Sequence, residues 1–76
     1  MTTFGQRVQS ARERRGLSQT QLALRSGVPQ ATVSRIESGI RAGTGVAVLK
    51  KLALALGVSV DYLVGMHEEF DRVGVS

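Results

Sequence analysis

Glycines at positions 16, 27, 39, 57 and 65 cut this chain into short segments, and that punctuation constrains its fold more than any other feature. Glycine just past the last turn is the commonest helix stop. Start signals stand at matching places. Thr3 is followed three residues later by Gln6, and Ser18 by Gln21. This is the layout of a capping box, in which a hydroxyl and an amide satisfy each other's backbone N–H groups. Pro29 opens a third segment where its missing N–H costs nothing, and Ser59 stands as cap before VDYLVG. Arg14 and Arg15 precede Gly16, where cations suit the negative end of a helix dipole.

Apolar residues fill these intervals at helical spacing. Phe4, Val8 and Ala11 recur at i, i+4, i+7, and the second segment runs over Leu22 and Ala23. In the fourth, VAVLKKLALAL, the residues Val46, Leu49, Leu52, Ala53 and Leu56 form the inward face. Nothing alternates as a strand does. Short connections between helices of two to three turns predict a compact, all-α bundle of five helices.

A chain of 76 residues makes one small domain, which buries only about 60% of the surface its unfolded form exposes. Cysteine is absent, so there is neither a disulfide framework nor a thiolate metal site, and His67 alone cannot build one. No metal and no cofactor are expected. No apolar run approaches the roughly 20 residues of a membrane span. MTTFGQR lacks the charged-then-apolar layout of a secretory signal, so a soluble, cytoplasmic protein is expected. Catalysis finds no support, because no Gly-rich loop follows a strand and no carboxylate pair sits on a rigid face.

The charge distribution is more informative. Arg14, Arg15, Arg25, Arg35, Arg41, Lys50 and Lys51 lie between residues 14 and 60 against one acid, Glu37. Acids gather later, at Asp61, Glu68, Glu69 and Asp71. A basic body points to an anionic partner, nucleic acid before membrane.

Residues 18–39, SQTQLALRSGVPQATVSRIESG, resemble the helix-turn-helix of the lambda-repressor/Cro-like (XRE-type) family of DNA-binding proteins. Ala23 stands where the first helix of the motif must be small. Gly27 stands at the turn, and Leu22, Val28, Val33 and Ile36 at the wedging positions. RERRGLSQ before the motif and LALALGVSVDYL after it extend the resemblance over roughly residues 4 to 65. It implies a five-helix lambda-repressor-like domain over residues 1–65, with the motif at helices 2 and 3. Residues 66–76 then form a separate tail, in which Met66, Phe70 and Val73 carry the spacing of a short amphipathic helix. Two departures stand out. Ser26 replaces the usual apolar residue, which predicts a loosely packed corner, and IRAGTG is about one residue longer than common and rich in glycine.

Within that motif the third helix would read DNA. Each base pair shows a distinct donor and acceptor pattern in the major groove. Gln30 matches adenine N6 and N7, and Arg35 offers a fork for guanine O6 and N7. Ala31 and the Thr32 methyl suit a thymine methyl, and Ser34 donates or accepts. Ser18 and Gln19 at the start of helix 2, with Ser38 and Arg41 beyond helix 3, are the candidate phosphate contacts; for Gln19 the resemblance supplies that role. The resemblance also implies a structural ion pair between Arg12 and Glu37, which would remove a carboxylate from the DNA-facing side. Val48 and Leu54, apolar outside the inward face of helix 4, join Met66 and Phe70 as a candidate homodimer interface.

The function expected is a sequence-specific transcriptional regulator, a repressor or a small autoregulating controller, that binds double-stranded DNA as a dimer. The alternative is an antitoxin or adaptor module that grips a protein partner through helix 4 and the tail, with DNA secondary.

Overall fold

The computed structural model of the chain describes residues 3–40 and 44–65. Five helices follow in order: α1 (Phe4–Arg14), α2 (Gln19–Ser26), α3 (Gln30–Glu37), α4 (Val46–Leu56) and α5 (Val60–Val64). The described residues contain no strand, so the fold is the five-helix, all-α architecture that the punctuation predicts. No helix among them is long and apolar enough to cross a membrane.

The start signals act as read. Thr3 and Gln6 form a reciprocal capping box at α1, and Ser18 and Gln21 form another at α2. The Ser59 hydroxyl accepts from the Tyr62 N–H at 3.0 Å. Each such cap contributes about 1 kcal/mol.

The core draws on every helix. Phe4, Val8 and Ala11 come from α1, Leu22 from α2, Val33 and Ile36 from α3, Leu52, Ala53 and Leu56 from α4, and Leu63 from α5. Leu17 and Val28, in the connections, close it. α2 packs on α3 and α4, while α1 packs on α3, α4 and α5. The α1–α3 approach is close because residue 5 is glycine. A Cβ there would run into the Ile36 carbonyl oxygen and come within 3.3 Å of Glu37 Cα.

Two packing expectations need correction. On α4 the inward face is rotated: Val46 is 65% exposed, whereas Val48 and Ala55 lie partly buried against the core. α2 is the reason. It stands on the Ala55 side, where Arg25 and Ser26 face Lys51, Leu54 and Ala55 across a shallow groove. The corner at Ser26 is also better held than its polarity suggests. Its hydroxyl donates to the Ala23 carbonyl at 3.4 Å and accepts from the Val28 N–H at 3.2 Å, bridging the turn between α2 and α3.

Candidate nucleic-acid interface

α3 is a helix of eight residues with only two of them buried, Val33 and Ile36. Those two seat it on the core. Pro29 precedes it with φ −56° and ψ 142° and offers no side-chain cap, while its carbonyl accepts the Thr32 N–H at 2.9 Å and the Val33 N–H at 3.1 Å. Gly27, at φ 75°, makes the reversal that sets α3 across α2, in a left-handed conformation that a side chain would penalise. Gln30, Ala31 and Arg35 are exposed, and Thr32 and Ser34 are half-buried. The five candidate base readers therefore lie on one short helix, three of them fully presented. Among the described residues Arg35 has no carboxylate partner.

The candidate phosphate contacts differ in availability. The Ser18 oxygen accepts from the Gln21 N–H at 3.0 Å as the α2 cap, which leaves its hydroxyl proton to donate. Ser38 instead donates its hydroxyl to the Ser34 carbonyl at 2.9 Å, so a phosphate contact through that hydroxyl would require the side chain to rotate away. Gln19 is half-buried and bound to Glu37. Arg41, Met66 and Phe70 lie outside the described residues. Of the candidate dimer residues that are described, Leu54 is 86% exposed, while Val48 is turned partly inward.

Glu37 and Arg12 meet in a two-pronged pair. Arg12 Nε donates to Glu37 Oε2 at 2.7 Å, and Nη2 donates to Oε1 at 3.0 Å. Arg12 Nη1 donates to the Leu17 carbonyl at 2.7 Å, so one guanidinium ties α1 to both the α1–α2 connection and the end of α3. The two side chains are only 12% and 5% exposed. The hydrogen bond to Glu37 holds the Arg12 guanidinium above the usual arginine range, against the lowering effect of burial. A parallel fork of this kind is the strong form of the arginine–carboxylate bond. Its local effect is to neutralise the one carboxylate on α3.

A second cluster of cations was not evident from the sequence. Arg7 is 5% exposed, its guanidinium lies 5.4 Å from the centre of the Tyr62 ring, and its Nη1 donates to the Tyr62 carbonyl at 3.4 Å. Arg14 Nη2 donates to the Tyr62 hydroxyl at 2.8 Å. Arg15 Nε donates to the Leu56 carbonyl at 3.0 Å, capping α4. Three of the arginines that make the chain basic therefore fasten α1 to α4 and α5. The spacing did hold a hint for Arg7, three residues after Phe4 and four before Ala11, on the buried stripe of α1.

A close pair of short helices joined at a left-handed glycine, with the second presented outward, is the unit of helix-turn-helix proteins. The profile of that family, described as Helix-turn-helix, matches residues 8–63, and the chain belongs to the family, in its lambda-repressor/Cro-like (XRE-type) form. Among relatives of known sequence, the HTH-type transcriptional repressor RghR of Bacillus subtilis (strain 168) is 43% identical over 72 residues, covering 91% of this chain and 53% of RghR. The uncharacterized HTH-type transcriptional regulator RghRB of the same organism is 43% identical over 63 residues, covering 83% of this chain and 45% of that protein. The chain thus spans about half the length of these two relatives. In three dimensions it is similar to the restriction-modification controller protein C.AhdI from Aeromonas hydrophila. The TM-score is 0.73 at 38% identity, with 79% of this chain and 89% of that one covered.

Proposed function

We propose that this chain is a sequence-specific transcriptional regulator that binds a near-palindromic site in double-stranded DNA as a homodimer, with α3 in the major groove. The observation that carries the reading is the outward face of α3. Gln30, Ala31 and Arg35 are exposed there, while Glu37 is turned away and neutralised by Arg12. Gln30 and Arg35 bring the amide and the guanidinium fork that match adenine and guanine edges, each pairing contributing about 1–3 kcal/mol of discrimination. Thr32, Ser34 and Ala31 fill the space between them. Ser18 and Gln19 at the start of α2 take phosphates, with Ser38 and Arg41 following α3 in the sequence as the further candidates, and these contacts set register rather than sequence.

The relatives named repressor and controller support a repressor or a small autoregulating controller. Dimerisation through α4, with Leu54 at its centre, would set two α3 helices about one DNA turn apart, roughly 34 Å. The adaptor or antitoxin alternative is not favoured by the family membership.

The test is a band shift on random duplex followed by site selection, at two salt concentrations. Several phosphate contacts predict a steep loss of affinity as salt rises. No retention of duplex at low salt would end the proposal.

A further inference from the structure

Gln19 opens α2, and its side-chain amide is held from behind. Its Nε2 donates to Glu37 Oε1 at 3.2 Å. The same oxygen accepts Arg12 Nη2 at 3.0 Å, while Arg12 Nε occupies Oε2 at 2.7 Å. An ionised carboxylate only accepts hydrogen bonds, so the amide must turn its NH2 group, not its carbonyl, towards Glu37. Rotating the amide by half a turn would set oxygen against oxygen. One Nε2 hydrogen is thereby taken up, and the other has no partner among the described residues. A phosphate oxygen likewise only accepts, so that second hydrogen is the group with which Gln19 can meet the DNA backbone.

We infer that Glu37 is a positioning residue for the phosphate contact of Gln19. Arg12 locks the carboxylate, the carboxylate selects one of the two amide orientations, and that orientation offers an N–H. The ion pair between α1 and α3 therefore acts on DNA affinity through α2, without Glu37 touching DNA. This rests on the DNA-binding reading above and deepens it. It also predicts that the neutral isostere will not serve. A glutamine at position 37 can present either end of its own amide and would leave Gln19 free to turn.

The test is a double-mutant cycle on duplex carrying a selected site, with Gln19→Ala, Glu37→Gln and the two combined. Loss of the organising charge should weaken binding about tenfold in Glu37→Gln. In the Gln19→Ala background the same change should cost less than about twofold, because the group it positions is gone. Equal loss in both backgrounds would overturn the inference, since Glu37 would then act only through the fold. Should Glu37→Gln fail to fold, the native protein gives an independent reading through the side-chain amide resonances of Gln19. On addition of duplex one Nε2 proton should shift and its Glu37-bonded twin should hold. Both moving together, or neither, would overturn the inference. Native protein that binds no duplex would instead refute the DNA-binding reading itself.

Discussion

Replacing Gly5 with alanine should destabilise this protein, against the usual sign of that change in a helix. In an open helix interior alanine is better than glycine by roughly 0.5–1 kcal/mol, because glycine has more backbone freedom to lose. Gly5 lies inside α1, so propensity alone predicts a gain. The structure predicts a loss, because the added Cβ would strike the Ile36 carbonyl oxygen and stand 3.3 Å from both Glu37 Cα and the Glu37 carbonyl oxygen. These are backbone atoms of the last turn of α3, and they are held. The Ile36 carbonyl already accepts the Gly39 N–H at 3.0 Å, and Glu37 is fixed by Arg12. Overpacking of this kind costs about 1–3 kcal/mol. Because the struck atoms are backbone, the upper part of that range applies, and set against the propensity gain the net loss should be about 1–2 kcal/mol. For a domain of this size that is a fall in Tm of roughly 5–15 °C. Thermal and urea unfolding, with Ser10→Ala at an exposed position of the same helix as reference, would measure it. A Gly5→Ala protein as stable as the native one would refute the close approach of α1 to α3.

The other predictions concern the ion pair, the reading helix and the dimer. Glu37→Ala should cost about 3 kcal/mol in urea unfolding by stranding Arg12, and the joint change Arg12→Met with Glu37→Met should recover much of it; a loss below about 0.5 kcal/mol would show that the pair is not structural. Arg35→Ala should relax preference at one base position by about 1–3 kcal/mol, whereas Gln19→Ala should weaken all sequences alike and, because the amide is neutral, leave the salt slope nearly unchanged. Both reading as uniform losses would contradict the division between base and phosphate contacts. Leu54→Glu should shift sedimentation towards the monomer, and an unchanged profile would move the dimer interface elsewhere.

Much of the fold is legible because its signals are local. A hydroxyl with an amide three residues on, a glycine past the last turn and an apolar stripe at helical spacing each act within a dozen residues. The polar outer face of α3 is legible for the same reason, since Gln30, Ala31, Thr32, Ser34 and Arg35 all lie in one short segment between Pro29 and Gly39. What could not be read depends on neighbours distant in sequence. Periodicity marks the stripe on α4 but not the side on which α2 lies, so Val46 and Val48 exchanged roles. Arg7 sits on a buried stripe by spacing, yet a charge is ordinarily assigned to solvent until an acceptor such as the Tyr62 carbonyl is known. Gln19 reads as a surface amide until Glu37, eighteen residues on, is seen beside it. Gly5 looked incidental because the carbonyl that requires it belongs to another helix.

The fastening of α1 also bears on the order in which the molecule can assemble. Arg12 waits for a partner 25 residues further along the chain, Arg15 for one 41 away, Arg14 for one 48 away and Arg7 for one 55 away. α2 and α3, by contrast, meet across a three-residue turn and pay little loop-closure entropy. The helix-turn-helix pair can therefore form before the other α1 arginines reach Leu56 and Tyr62, while Arg12 can engage Leu17 and Glu37 as soon as α3 is in place. α1 is thus anchored in stages, to α3 through Arg12 first, and to α4 and α5 only once Leu56 and Tyr62 have been made.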